Sequence, residues 1–148
     1  MKVAMVFPDP LSEKGISKYS SDLIKNIKKQ DVDFDEITFM AGKPLTLFRN
    51  FFILLKHDII HIQHEYNMLG LYGLPYFVVF SFLGIFKKKS LIVTMHTVPS
   101  QKTTFKGGSI KNFLRKLLYK IQNKWINLTS NKIIVHANFF KEILINEY

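Results

Sequence analysis

Short apolar runs alternate along this chain with longer segments in which apolar residues recur every three or four positions. The first pattern is typical of buried strands and the second of helices. The predicted strands are Lys2 to Phe7, Phe34 to Met40, Asp58 to Gln63, Ser90 to Met95 and Lys132 to His136. The predicted helices are Ser17 to Lys29, Leu45 to Lys56, Pro75 to Phe86, Ser109 to Leu128 and Phe139 to Tyr148.

This alternation predicts an α/β fold, a doubly wound, Rossmann-like parallel sheet with helices on both faces. Three of the strands are apolar on both faces, as a parallel sheet covered by helices requires. The 148 residues fit a single domain, and no internal repeat or low-complexity tract divides them.

The stretch from Met68 to Phe86 carries no charge, and three lysines follow it. Its length and flank meet the test for a membrane span, which is one interpretation. Gly70, Gly73, Pro75 and Gly84 interrupt the stretch. Because proline fits best at a helix start, we predict a buried helix of about a dozen residues, too short to span a bilayer.

The charge is distributed unevenly. The formal net charge is +10, and no Asp or Glu occurs between Tyr66 and Lys141. A basic surface of this kind attracts anions such as phosphates, nucleic acids or anionic lipid head groups. The alternative is a lysine-rich face that only keeps the protein in solution. The apolar run at the N-terminus is too short for a signal peptide, so we expect a cytoplasmic protein.

Candidate site residues follow the predicted strands, because ligands of such sheets bind beyond the carboxyl ends of the strands. Gly15 precedes a helix and leaves room for a ligand to approach free N–H groups at the helix start. His64 and Glu65 are adjacent, so on an extended chain only one of them faces the cleft. His96 follows the fourth strand, where it is placed to act as a hydrogen-bond donor or a base.

Several other chemistries lack their motifs. The sequence contains neither G-x-G-x-x-G nor the phosphate-loop motif, which argues against NAD binding and against an ATPase or GTPase. No G-x-S-x-G elbow supports serine hydrolysis, and the absence of cysteine excludes disulfides and thiolate chemistry. His57, His61, His64 and Glu65 match no metal-ligand spacing, so we predict no metal site.

Four segments in this order resemble the N-terminal domain of family 4 (group 1) glycosyltransferases, which have the GT-B fold. The segments are Gly15-Ile16-x-x-Tyr19-x-x-x-Leu23, Asp58 to Glu65, Ile92 to Thr97, and Ile133 to His136 followed by Lys141 to Leu144. The resemblance implies a retaining transfer of a sugar from a nucleotide-sugar to a sugar or lipid-linked acceptor, without a metal or further cofactor.

By this resemblance the site residues take distinct roles. The expected catalytic residue is His96; Lys14, Gly15 and Ile16 are expected at the donor phosphates, and His64, Glu65 and Tyr66 at the acceptor. Lys14 stands where many members have a second glycine, and it supplies a charge instead. We expect the donor-binding C-terminal domain to be absent from these 148 residues, which are then either a fragment of a longer enzyme or one subunit of a split enzyme. In either case we expect little or no transferase activity without a C-terminal half.

The predicted helix from Ser109 to Leu128 combines an apolar stripe with basic residues. The stripe comprises Ile110, Phe113, Leu114, Leu117, Leu118, Ile121, Trp125 and Leu128. We expect the stripe to pack on the sheet. Basic helices also lie on anionic membranes, each basic residue contributing roughly 1 kcal/mol. Packing of the stripe on the sheet is compatible with membrane contact if only the basic flank of the helix touches lipid. The predicted membrane contacts are Lys102, Lys106, Lys111, Arg115 and Lys116.

Two other functions compete with sugar transfer. The first is a non-catalytic, membrane-associated binding or scaffold subunit with the same fold, peripheral on the cytoplasmic membrane face. The second is a nucleic-acid binder, which needs exposed aromatic residues interleaved with basic ones. Because the aromatic residues of the basic region fall mostly on predicted buried stripes, we expect no nucleic-acid partner.

Overall fold

A five-stranded, all-parallel sheet forms the centre of the protein, as the computed structural model shows for residues 1–28, 32–66, 68–70, 73, 76–87 and 89–148. The strands are β1 (Lys2–Pro8), β2 (Asp33–Phe39), β3 (Ile59–His64), β4 (Ser90–Met95) and β5 (Lys132–Val135). They lie in the order β2-β1-β3-β4-β5, and each neighbouring pair is parallel. The predicted fold class is therefore confirmed.

Helices connect the strands. They are α1 (Lys14–Lys28), α2 (Pro44–Arg49), α3 (Phe51–Leu54), α4 (Ser109–Thr129) and α5 (Asn138–Glu147), with π-helical turns at Tyr76–Phe80 and Phe82–Phe86. The single helix predicted from Leu45 to Lys56 is broken at Asn50, whose side-chain amide donates to the carbonyl oxygen of Thr38 over 2.7 Å. α4 begins at Ser109, as predicted, and its N-cap residue is Gly108, which has no side chain to form a capping hydrogen bond.

Side chains of β1 alternate between two apolar clusters. Val3, Met5 and Phe7 pack with Ile24 of α1 on one face of the sheet. Ala4 and Val6 belong to the larger cluster on the opposite face, which includes residues of β3, β4 and α4. Because each residue of a strand points away from the next, β1 joins both halves of the core.

The segment after β3 becomes helical from Tyr76, and the predicted start at Pro75 lies outside the described residues. Tyr76, Phe80 and Leu83 are fully buried. A Cβ atom at Gly84 would lie 2.9 Å from a methyl group of Leu91, so glycine permits close packing on β4. Among the helices that the structure describes, none is long and apolar enough to cross a membrane.

The orientation of α4 contradicts the sequence prediction. The buried residues of this helix are Tyr119, Gln122, Asn123, Ile126 and Thr129. The exposed ones include Ile110, Phe113, Leu114, Leu117, Ile121 and Leu128, which are six of the eight residues in the apolar stripe. At about 100° per residue, the centre of the exposed stripe lies about 160° around the helix from the centre of the buried face. The expectation that the stripe packs on the sheet was wrong.

Three hydrogen bonds between α4 and neighbouring segments, each involving an aromatic residue, hold α4 in this orientation. The Tyr66 hydroxyl donates to Asn123 Oδ1 over 2.6 Å. The hydroxyls of Tyr76 and Thr129 share a hydrogen bond of 3.1 Å. The indole N–H of Trp125 donates to the Ser81 hydroxyl. These polar contacts, together with Tyr119 and Ile126 in the apolar core, hold the side of α4 opposite its apolar stripe against the sheet.

Candidate functional site

The carboxyl ends of β3, β4 and β5 bring a group of polar and aromatic side chains together. We call this group the rim cluster; it comprises Tyr19, Gln63, Glu65, His96, Thr97 and His136. His96 Nε2 lies 2.8 Å from Gln63 Oε1, and the Thr97 hydroxyl lies 2.8 Å from both Glu65 carboxylate oxygens. The residues that follow β3 and β4 therefore meet at one edge of the sheet, as predicted.

His96 occupies the middle of the rim cluster. Its ring centroid lies 5.3 Å from that of Tyr19, which α1 supplies, and 4.7 Å from that of His136, which follows β5. Burial, together with the neighbouring His136, lowers the pKa of His96 to about 4, while Glu13 acts in the opposite direction. His96 is therefore neutral at pH 7.

Gln63 determines which nitrogen of His96 carries the hydrogen. The Gln63 side-chain amide donates to Met5 Sδ over 3.4 Å, which leaves its carbonyl oxygen facing His96. The hydrogen-bond network thus assigns the hydrogen of the neutral ring to Nε2. The lone pair is then on Nδ1, where it can accept a hydrogen bond or a proton.

Glu65 is the second titratable group of the rim cluster. Burial raises the pKa of its carboxyl group, while hydrogen bonds from the Thr97 hydroxyl and the Tyr66 backbone N–H oppose that rise. The Tyr66 N–H donates to Glu65 Oε1 over 3.2 Å. The carboxylate is thus oriented by two donors at the edge where a ligand would lie.

The start of α1 carries the predicted donor-phosphate residues Lys14, Gly15 and Ile16, but its N–H groups are not free. Glu13 accepts hydrogen bonds from the backbone N–H groups of Gly15 at 2.9 Å, Ile16 at 2.6 Å and Ser17 at 3.3 Å. A carboxylate of the chain itself therefore occupies the place that an external anion would take. Lys14 is exposed beside it.

His64 and Tyr66 lie in the core and not at the rim. The His64 side chain is fully buried, and neither ring nitrogen has a hydrogen-bond partner among the described residues. Burial, with a smaller contribution from His96, lowers the pKa of His64 to about 3. Burial also raises the pKa of Tyr66, whose hydroxyl is bonded to Asn123. Of the three predicted acceptor residues, only Glu65 reaches the rim cluster.

The histidines considered as metal ligands are held apart. His61 bonds to the Thr94 hydroxyl at 2.8 Å, on the sheet face opposite His64, and His57 pairs with Asp35 at 2.8 Å. Within the described part of the chain, no three His, Asp or Glu side chains are grouped closely enough to hold a metal ion.

Four members of the rim cluster, Tyr19, Gln63, Thr97 and His136, were not predicted as site residues. Thr97 lies two residues after β4, next to the predicted His96. His136 directly follows β5, and its position could have indicated it by the same rule that selected His96. Tyr19 and Gln63 carry no such signal, because one lies within a helix and the other within a strand. Their place in the cluster depends on how α1 and β3 pack.

Three of the five predicted membrane-contact residues line one groove. Lys106, Lys111 and Arg115 surround a space of about 350 Å³ that Leu114 and Leu118 also line. The other two residues lie elsewhere: Lys102 is exposed on the preceding loop, and Lys116 is half-buried on the other side of α4.

Comparisons of the chain with protein-family models, with curated proteins and with solved structures find no match. Functional inference therefore depends on the geometry of the rim cluster and of the surface of α4.

Proposed function

We propose that this chain is the acceptor-side half of a retaining glycosyltransferase with the GT-B fold. In this proposal a C-terminal half, supplied separately, binds the nucleotide-sugar, and the acceptor is a sugar or a lipid-linked sugar. The observation that supports the proposal most directly is the rim cluster, where neutral His96 lies between Gln63 and His136 at the carboxyl ends of parallel strands.

The rim cluster suits hydroxyl-rich ligands. His96 Nδ1 can accept a hydrogen bond from a sugar hydroxyl while Gln63 keeps the ring in place. The Glu65 carboxylate, with Thr97 beside it, offers a second acceptor for sugar hydroxyls. At the start of α1, a donor diphosphate would replace the Glu13 carboxylate on the N–H groups, with Lys14 adjacent.

Ligand titration of the isolated chain tests this proposal. Backbone amide NMR signals would be followed while nucleotide-sugars and short saccharides are added in turn. We expect saturable shifts at His96, Thr97 and Gly15, and weaker binding in His96→Ala. The matched control is Asn127→Ala, an exposed polar position on α4. Shifts confined to other surfaces, or no shift with any nucleotide-sugar or saccharide, would contradict the proposal.

The second candidate function is a non-catalytic, membrane-associated subunit, peripheral on the cytoplasmic face. The outward apolar stripe of α4, flanked by Lys120 and Lys124, favours it. This candidate differs from the first in one measurable respect. It requires binding to lipid vesicles without any binding of nucleotide-sugar, even when a C-terminal half is supplied.

A further inference from the structure

The outward side of α4 exposes large apolar side chains beside basic ones. Ile110 is 77% exposed, Phe113 66% and Leu128 69%. The stripe from Ile110 to Leu128 is about 27 Å long at 1.5 Å per residue. No Asp or Glu occurs between residues 66 and 141 to neutralise the neighbouring cations. The surface is therefore apolar along its middle and positively charged along its edges.

A basic groove lies at the N-terminal end of this stripe. Lys106, Lys111 and Arg115 line it, and Leu114 forms part of its wall. The Arg115 guanidinium lies over the Phe105 ring at 5.0 Å from the centroid, which restricts its position. Three cations around one space of about 350 Å³ match the charge of a phosphate group, and the space is large enough to admit one.

The apolar surface continues beyond α4. Leu128, Gly84 and Ile85 line one shallow cavity, so the C-terminal end of the stripe adjoins the second π-helical turn. Ile85 and Phe86 are exposed there, and the Lys87 ammonium lies 5.8 Å from the Phe82 ring centroid. The same combination of exposed apolar residues and lysine thus occurs at both ends of α4.

We propose that this face of α4 docks in the plane of an anionic lipid bilayer. Lys106, Lys111 and Arg115 bind the phosphate of a lipid head group, and Leu117 and its neighbours enter the boundary between head groups and acyl chains. A soluble phosphate would use the cations but would leave the exposed stripe without a role. A bilayer with anionic lipids complements both the charge and the apolar surface.

This inference deepens the membrane side of the proposed function and depends on no step of sugar transfer. It is tested without nucleotide or sugar. A negative result would therefore leave the rim cluster proposal standing. In the same way, failure of the ligand titration described above would contradict the rim cluster proposal and not the docking proposal.

Co-sedimentation of the full chain with vesicles tests the docking surface. The vesicles contain phosphatidylcholine alone, or phosphatidylcholine with about one third phosphatidylglycerol. Leu117→Glu changes the stripe at a 42% exposed position, and Leu11→Glu makes the same change at a 90% exposed position outside α4. Lys106→Glu with Lys111→Glu changes the groove, and Lys18→Glu with Lys25→Glu makes the same charge change on α1.

We expect binding only to vesicles that contain phosphatidylglycerol. The stripe variant and the groove variant should each lower the vesicle affinity about tenfold or more, whereas both controls bind like the wild type. Circular dichroism reports whether each variant is folded. If Leu117→Glu is not, Ile110→Glu in the first turn of α4 replaces it.

Four results would overturn the docking proposal. They are absence of binding to either vesicle, equal binding to both, loss of binding in the α1 control as large as in the groove variant, and competition by millimolar inorganic phosphate with no effect of Leu117→Glu. Sedimentation velocity and a salt-dependent gel shift examine other occupants. A dimer that Leu117→Glu dissociates, or nucleic-acid binding tighter than vesicle binding, would also overturn it.

Discussion

Replacing His64 with phenylalanine should make the protein less sensitive to acid. His64 is fully buried, its ring lies 5.1 Å from that of Tyr66 and 5.9 Å from that of Tyr76, and burial lowers its pKa from 6.5 to about 3. Below pH 6.5 the unfolded chain binds a proton at this residue that the folded chain does not bind. The free energy of unfolding therefore falls as the pH decreases from about 6.5 towards 3.

The magnitude follows from the size of the pKa change. Each pH unit within that window costs up to about 1.4 kcal/mol, so the loss at pH 4.5 is about 2.7 kcal/mol. That is a large part of a typical stability of about 5–15 kcal/mol. The phenylalanine ring offers no nitrogen to protonate, so His64→Phe should lack this contribution. The pKa values of His61 and His96 are about 4, so these residues also lower the free energy of unfolding as the pH decreases. Their contribution is the same in the wild type and in His64→Phe.

Urea unfolding at pH 7 and pH 4.5 measures the effect, with Trp125 fluorescence and circular dichroism as independent probes. We expect the difference in unfolding free energy between the two pH values to be about 2–3 kcal/mol smaller in His64→Phe than in the wild type. Equal differences in the two proteins would show that His64 is not a buried neutral group. A cost of overpacking would lower the unfolding free energy equally at both pH values and would not affect this comparison.

Three further changes probe the rim and the packing of the core. Glu13→Ala should lower the stability by about 1 kcal/mol, and NMR titration should show tighter binding of pyrophosphate at the start of α1; unchanged affinity would argue against a site there. Gln63→Leu should shift the His96 hydrogen from Nε2 towards Nδ1, which nitrogen-15 NMR detects, and an unchanged tautomer would refute the positioning role. Gly84→Ala should cost about 1–3 kcal/mol in urea unfolding because its Cβ would lie 3.0 Å from a backbone oxygen, whereas Gly108→Ala, with no atom within 4 Å, should not.

The sequence predicted the sheet well because the signal for a buried parallel strand is local. The run from Val3 to Phe7 is apolar on both faces, and only a covered sheet accommodates it. The strand order was not predicted, because it depends on contacts between residues far apart in the chain. The periodicity of α4 showed that an apolar stripe exists but carried no information about what covers it.

The candidate site was predicted only where a residue directly follows a strand. His96 and Glu65 met that condition and lie in the rim cluster. His64 is the last residue of β3, and the alternation of side chains turns it into the core. The role of Glu13 could have been predicted from the sequence, because an acidic residue at the start of a helix accepts hydrogen bonds from the first N–H groups of that helix. This would have indicated that the N–H groups at the start of α1 are already occupied.

The orientation of α4 is explained by the residues that would have to be buried in the alternative. Turning the helix to cover its stripe would bury six large apolar side chains, each worth about 1.5–3 kcal/mol. The same rotation would carry Lys124, which lies about 40° from the centre of the stripe, towards the core. The buried residues that the structure describes include no Asp or Glu that could pair with it. The rotation would also leave the buried hydroxyl of Tyr66 unpaired at a cost of about 1–3 kcal/mol.

Burying unpaired ammonium groups would cost several kcal/mol each and would offset much of that gain, which favours keeping Lys120 and Lys124 at the surface. Because they alternate with Leu117 and Ile121 along one side of α4, the apolar residues stay at the surface with them. A partner that covers this side of α4 must therefore meet two conditions. It must remove the leucines from water, and it must leave the ammonium groups hydrated or paired with anions. The boundary between anionic head groups and acyl chains meets both conditions at once, whereas an apolar protein surface meets only the first.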